Sequence, residues 1–547
     1  MRRQAGVVLP LFAIRTRRDW GIGQLTDLPA YAEWIASAGQ RLLQVLPPHT
    51  LSVGETSPYG ALTAFGLDPI YADIEAIEDM DAGAIDVLLD EADHEGKHAG
   101  RRALEQARAS VRVDYVGVRA LKTRALDAAF TRFHEREWVR DTPRARRLAD
   151  FIREEGGWLD DLAQYESLRA SYGGWGWASW ADDDRDRAPV AMARSRRERA
   201  RDLLRVAYVQ WTLYGQWDAA HARMRELGVE LMGDVPFVVG TESADVWSHA
   251  SQFNLHLSLG APPDDFSVDG QDWGLPSYDW LAMESDDLAW LRMRARHAGR
   301  MYDRFRLDHV VGYFRQWVRR KDGKDRGRFD PEGPESQRAR GARVLRAVLK
   351  EVSGKGVLVD APRAIAEDLG VIPPFVRESL AELGMPGYRV LPWEKDAGTL
   401  RDPLSFPASS VASWSTHDTA PIDAWWPELP PNERAQFARR AGFAGQKSEG
   451  ASEGANEGKI VGIAEGVEDD PARSVALLGD MYRAKSDLAL ALAQELIGAK
   501  DRINTPATVG PENWSWRLPR PLEDLRVDPQ LTARFAAIRE LARKSGR

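Results

Sequence analysis

Three carboxylates stand out by their surroundings: Asp308 in RLDH (306–309), Glu367 in IAEDLG (365–370) and Asp418 in STHD (415–418). Two carboxyls about 5 Å apart can cleave a glycosidic bond with retention. One attacks the anomeric carbon. The other protonates the leaving oxygen and later deprotonates the acceptor. A third carboxylate can hold sugar hydroxyls and steady positive charge in an oxocarbenium-like transition state. Arg306 lies two residues before Asp308, so in a strand both point to the same side. A cation there would keep Asp308 ionised, as a nucleophile must be. Glu367 has Asp368 beside it and Ile365 and Leu369 around it, a setting compatible with a raised pKa. The plainer alternative is a surface ion pair between Asp308 and Arg306, a common and weak arrangement. His309 and His417 each adjoin an acid, which would suit a metal pair. Hydrogen bonding to a substrate needs the same residues without the metal, and no HExxH or other metal-ligand spacing occurs. Both histidines are therefore candidate substrate contacts, and no metal is expected.

The elements that must carry these residues alternate. In RFRLDHVVGYFRQW (304–317), Phe305 and Leu307 alternate with Arg306 and Asp308, the period of a strand buried on one side. The pattern ends at Gly312, so Asp308 and His309 stand where a strand runs out into a loop. In an α/β barrel that end of a strand is where catalytic side chains are mounted. Residues 7–14 (VVLPLFAI) read as a buried strand, 27–38 as a helix stopped by Gly39, and 42–46 as a second strand closed by Pro47 and Pro48, together a βαβ unit. Tyr59, between Pro58 and Gly60, is stiffly held in the following loop, either as a ligand platform or as a turn tyrosine packed on the body.

From about 77 to 200 the chain turns rich in Ala, Arg, Glu and Leu with helical period, which predicts a helical insertion. Within it, 173–187 is a Trp- and Asp-dense loop, expected to fold as an aromatic cluster. A helix over 201–227 leads to a strand at 229–240 with Asp234 near its end. Residues 241–280 hold too much Gly, Pro and acid for regular structure and predict a long active-site loop. Helices are expected at 288–303 and 338–352, around a polar, loop-like 321–337. Strands follow at 388–393 and 409–418. The Gly-, Glu- and Ser-rich run at 445–470 predicts a surface loop. For 486–498 propensity favours helix over strand. Recurrent helix–strand alternation argues α/β with a parallel sheet. Acids at the ends of well-separated strands favour a closed barrel over an open sheet, whose ligands gather at one switch point.

Composition excludes several classes. A formal net charge of −9 calls for neither nucleic acid nor an anionic membrane. With no cysteine there is no disulfide and no thiolate site. No GxGxxG after a strand and no GxxxxGK[ST] marks a nucleotide. No run approaches the roughly 20 apolar residues of a membrane span, and charge returns at Arg15, too early for a signal peptide. A cytoplasmic protein is expected. Of the 20 Trp, 13 Tyr and 16 Phe most are expected in the core, and stacking on sugars is a use for any surplus.

RLDH, IAEDLG and STHD, in this order, resemble the three active-site motifs of the 4-α-glucanotransferases of glycoside hydrolase family 77, the amylomaltases or disproportionating enzymes, relatives of the α-amylase clan. Further segments match: SPYGALTAFGLDPIY (57–71), YVQWTLYGQW (208–217), GDVPFVVGTESADVWSH (233–249), PPDDFSVDGQDWG (262–274) and NTPATVGPENWSWRL (504–518). The resemblance runs from about residue 6 to 519. It implies one catalytic (β/α)8 TIM barrel with helical insertions between barrel strands, no cofactor, and a last barrel strand within 486–498. It also implies Asp308 as nucleophile, Glu367 as general acid/base and Asp418 as transition-state stabiliser. Tyr59, Asp234, Arg306 and His417 would surround the sugar, with Gln271 and Trp273 in a loop over the cleft. Thr419 and Ala420 stand where the family often has Asn-Asp. The implied reaction moves an α-1,4-glucan segment from a maltodextrin donor to the 4-hydroxyl of glucose or another glucan. The alternatives are an α-1,4-glucan hydrolase and an inactive glucan-binding protein on the same barrel.

Overall fold

The computed structural model describes residues 3–547 except 53, 91–98, 264–269, 324, 353–362, 444–470 and 507. Eight parallel strands close into a barrel: β1 (Gln4–Val8), β2 (Leu42–Gln44), β3 (Glu230–Val235), β4 (Arg304–Leu307), β5 (Ala364–Ala366), β6 (Gly387–Val390), β7 (Ser410–Ser413) and β8 (Leu488–Leu492). They neighbour one another in chain order, and β8 closes on β1 by pairing Gln4 with Leu488 through Val8 with Leu492. Helices such as Leu28–Ser37, Ala289–Met301 and Pro374–Glu382 intervene between successive strands. This is the (β/α)8 architecture, whose loops after the strands converge on one face.

The central strand departs from its expected pattern. All four residues of β4 are buried, where the alternation predicted one buried face. Phe305 and Leu307 take one face, and Arg304 and Arg306 turn into the barrel, where ion pairs replace water. Arg304 Nε donates to Glu230 at 2.6 Å, and its Nη2 reaches Gln4 of β1 at 3.2 Å. Residues 488–492 are a strand, not the helix that propensity favours, with a helix only over Ala493–Ile497. Parallel ladders to β1 on one side and β7 on the other outweigh the intrinsic preference of Ala and Leu. β1 begins at Gln4 and stops at Val8 because Pro10 has no amide for a ladder; Leu11–Ala13 is a 3-10 turn.

The described residues of 241–280 are not irregular. They hold a helix, Ala244–Ser248, and an antiparallel hairpin, Phe253–Ala261 with Gln271–Tyr278. Strands Gln316–Arg320 and Arg328–Asp330 extend it to a four-stranded sheet, so 321–337 is not wholly loop either. Pro276 is accommodated because Gln271–Tyr278 is the edge strand. Residues 264–269, with Phe266, and the low-complexity run 445–470 lie outside the described residues.

Between β2 and β3 the chain runs through helices Ala82–Asp90, Ala99–Ala109, Tyr115–Arg136, Pro143–Glu154, Gly156–Ser171 and Pro189–Glu198. In the Trp-rich stretch Trp180 stacks on Tyr172 at 5.4 Å and meets Trp247 edge-on at 5.6 Å. The 27-residue helix Ala200–Glu226 then returns the chain to the barrel beside Leu28–Ser37. Among the described residues no helix is long and apolar enough to cross a membrane.

Candidate active site

Strand register brings the first two acids together. Asp234 of β3 lies opposite Arg306 of β4, and Arg306 and Leu307 lie opposite Ile365 and Ala366 of β5. Asp308 and Glu367, each the first residue beyond its strand, therefore emerge side by side. The ladder continues past them: the Asp308 amide donates to Val235 and the Glu367 amide to Leu307, both at 3.0 Å.

One guanidinium organises this corner. Arg306 Nη1 donates to both oxygens of Asp234 at 2.8 and 2.7 Å. Its Nη2 lies 2.8 Å from Asp308 Oδ1 and 4.0 Å from Glu367 Oε2. With a side chain only 8% exposed, this is no surface ion pair. Burial opposes the charge on Arg306, but Asp234 and Asp308 outweigh it and raise its pKa well above the ordinary value. Burial pushes the Glu367 carboxyl up to about 7, against the pull of Arg306 and with the negative charge of Asp308 adding to the rise. Glu367 also accepts two main-chain amides, His309 on Oε2 at 2.9 Å and Leu369 on Oε1 at 2.8 Å. His309 reaches it from a left-handed conformation, φ 45°, uncommon for a side-chain-bearing residue and found here beside the acids. Gly312 permits this turn, since a Cβ there would stand 2.6 Å from the Phe237 ring and 2.8 Å from His309. Burial lowers His309 to about 4, so its imidazole is neutral at physiological pH. Trp273 meets that ring edge-on at 4.9 Å and donates from Nε1 to Gln271 at 3.1 Å.

Asp418 is built differently. It lies on the loop after β7, with its side chain 43% exposed against 24% for Asp308. Asn504 Nδ2 donates to its Oδ1 at 2.7 Å, His417 Nε2 lies 3.3 Å from its Oδ2, and Arg502 binds its main-chain carbonyl at 2.8 Å. Burial works against ionisation, yet His417 and Asn504 hold this carboxyl well below the usual range. His417 in turn is lowered by burial but raised on balance by Asp418.

Tyr59 joins the two halves. Its hydroxyl donates to Asp234 Oδ2 at 2.9 Å and lies 3.0 Å from His417 Nε2. One phenol proton serves one acceptor, so with Tyr59 donating to Asp234 the His417 Nε2 carries a proton, which faces both Tyr59 Oη and Asp418 Oδ2. The tyrosine ring stacks on His417 at 5.6 Å, with Trp514 at 5.8 Å.

These groups surround a cavity of about 910 Å³. Asp308, Glu367, Asp418, Tyr59, Arg306, His309, His417, Gln271 and Trp273 all line it. Asp234 does not; its side chain is fully buried beneath Arg306 and Tyr59. Asn504, Trp514, Tyr388 and Trp393 line the cavity without having been singled out from the sequence. Asn504 and Trp514 sit in the matched segment 504–518, whose turn-rich pattern offered no reason to choose them. For Trp393 no local signal existed. Among the described residues no three His, Asp or Glu side chains converge as a metal-binding group.

Comparison with known proteins gives a consistent picture. The sequence profile of the 4-alpha-glucanotransferase family matches residues 9–523. The 4-alpha-glucanotransferase of Chlamydia pneumoniae is 29% identical, over 95% of this chain and 92% of its own. That of Thermus thermophilus is 29% identical, over 95% of each chain. The structure of an amylomaltase from Streptococcus agalactiae in complex with acarbose superimposes over 100% of both chains with a TM-score of 0.79 at 24% identity, a likeness of fold. On a profile match spanning nearly the whole barrel, the chain belongs to the 4-alpha-glucanotransferase family, glycoside hydrolase family 77.

Proposed function

We propose that this enzyme transfers α-1,4-glucan segments by a two-step retaining displacement in which Asp308 is the nucleophile, Glu367 the general acid/base and Asp418 the transition-state stabiliser. The observation that carries this reading is the nitrogen shared by the two adjacent acids. Arg306 Nη2, 2.8 Å from Asp308 and 4.0 Å from Glu367, keeps those two oxygens within about 7 Å of each other, a ceiling that admits the roughly 5 Å of retaining enzymes and reaches only the short end of the roughly 6.5–9.5 Å of inverting ones. Direct attack by one of them on an anomeric carbon needs the two carboxyls about 5 Å apart.

The protonation states divide the labour. A carboxyl near pKa 7 holds a proton to give to the departing 4-oxygen and, once ionised, can take one from the acceptor hydroxyl. Asp308 is bound to a fully charged guanidinium, which orients it. Asp418, held ionised by His417 and Asn504, opposes the positive charge that develops on the sugar ring. Tyr59 and His417 pack together on the cavity wall, as do Gln271, Trp273 and His309. Asp234 acts through Arg306 and Tyr59 rather than on the sugar. Water, at about 55 M, is the competing acceptor, so transfer depends on binding the incoming sugar and covering the intermediate. The edge strand with Trp273 supplies that cover. Residues 77–200 serve as a helical insertion on this single catalytic unit.

The deciding experiment is to trap the intermediate with a slow-turnover fluorinated maltosyl donor and map the modified peptide. The adduct is expected on Asp308. An adduct on Glu367 or Asp418 would overturn the assignment.

A further inference from the structure

Glu495 is a buried acid that the mechanism above does not use. It lies on the helix Ala493–Ile497, immediately after β8, with 1% of the residue exposed, and it does not line the cavity. Its carboxyl binds both ends of the loop that carries His417 and Asp418. Oε1 lies 2.6 Å from Ser415 Oγ and 3.3 Å from the Ile422 amide, and Oε2 accepts the Leu492 amide at 2.9 Å.

Counting protons settles how these contacts are satisfied. Ser415 Oγ also lies 2.9 Å from the main-chain carbonyl of Ala420. A hydroxyl has one proton, and a carbonyl oxygen can only accept. With Glu495 ionised, Ser415 faces two buried acceptors and serves one. With a proton on Glu495 Oε1, the acid donates to Ser415 and Ser415 donates to Ala420, so each atom has its partner. We infer that Glu495 is held as a neutral carboxylic acid which, through Ser415, locks the 415–422 loop and positions His417 and Asp418, and that losing its proton slackens this lock. The inference rests on the reading of Asp418 as a group that assists the first chemical step.

The surroundings support it. Burial pushes Glu495 up to about 7, the Ser415, Leu492 and Ile422 hydrogen bonds oppose the rise, and the charge of Asp423 adds to it. Asp423 is itself paired with Arg473, 3.0 Å away on the helix Pro471–Arg483, which also brings Tyr482 toward Glu495. Arg534, on the helix Pro529–Lys544, directs its guanidinium to the main-chain carbonyls of Glu495 and Leu496 at 2.8 and 2.7 Å.

The test separates Glu495 from Glu367. Fluoride needs no proton to leave, so first-turnover release from α-maltotriosyl fluoride lacks the alkaline limb that Glu367 imposes on ordinary donors. In the wild type this rate should still fall about five-fold or more between about pH 6 and pH 8.5, as one buried hydrogen bond is lost. Glu495→Gln keeps a donor for Ser415 at every pH and should hold its rate within about two-fold over that range. Ser415→Ala removes the relay and should be slower at all pH values with the limb abolished. It serves as the second variant if Glu495→Gln does not fold. A wild-type rate that does not fall, or a Glu495→Gln rate that falls with the wild-type midpoint, overturns the lock. Asp418→Asn, run alongside, tests the underlying reading: fluoride release at the wild-type rate would reject the role of Asp418 independently of Glu495.

Discussion

The two sides of the cavity reach the same end, an acid presented to the cavity, by different means. On the β4–β5 side Asp308 and Glu367 sit directly on strand ends. Backbone pairing with Val235 and Leu307 fixes their positions, and burial sets the protonation of Glu367. On the β7–β8 side Asp418 stands out on a loop, half exposed. Its position and charge come from side chains: His417 beside it and Asn504 from beyond β8. A residue mounted on the ladder inherits rigidity from the whole barrel. A residue mounted on a loop must be held contact by contact, and each contact is a separate point of failure.

That contrast can be broken or sharpened by substitution. Asp308→Asn should have the largest effect, a loss of about four orders of magnitude or more in transfer from maltotriose with the fold retained. The check is product analysis beside a thermal melt, and an unfolded variant would show that the ion pair with Arg306 is chiefly structural. Glu367→Gln should reduce turnover of maltotriose by about 10²–10⁴-fold while sparing the first step from a glycosyl fluoride. Equal losses on both donors would make Glu367 a structural acid and dissolve the distinction between the two sides.

Asn504→Ala should cost about ten-fold, the worth of one hydrogen bond to a charged group. It should also move the acidic limb of kcat/KM. On the proposed role Asp418 acts ionised, so the rate should fall as pH drops through its pKa; removing a donor raises that pKa and should shift the fall to higher pH. The same change should narrow the acid stability of the protein. A depressed carboxyl contributes stability that is present above its unfolded pKa and lost as pH falls toward the folded one. An unmoved limb, measured by initial rates across the acid range, would mean that His417 alone sets the charge.

Trp273→Ala should have the smallest effect on donor cleavage, about two- to five-fold, but should raise the ratio of hydrolysis to transfer by more than that. Free reducing ends measured against oligomer redistribution from maltotriose report the ratio. An unchanged ratio would leave acceptor affinity as the sole source of transfer.

Much of the chemistry was legible in the residues. The three acids, Arg306 two residues before Asp308, the βαβ opening and the recurrent alternation reflect local rules: strand periodicity, turn residues and capping act within a few positions of the chain. The site on β4–β5 was therefore readable almost in full, except that Asp234 lies beneath the cavity and β4 is buried on both faces. Local rules misjudged 486–498 and 241–280. Alanine and leucine favour helix until two neighbouring strands offer ladders, and a Gly- and Pro-rich stretch reads as loop until an edge position and an antiparallel partner make it a strand. Only the tertiary structure joined Asn504 to Asp418, Tyr59 to His417 and Asp234, and Glu495 to Ser415. These pairs lie 86, 358, 175 and 80 residues apart. The sequence determined which titratable groups are present and that strands and helices alternate. The closure of the barrel decided which of them share a proton, because hydrogen bonds form across space and leave no periodicity along the chain.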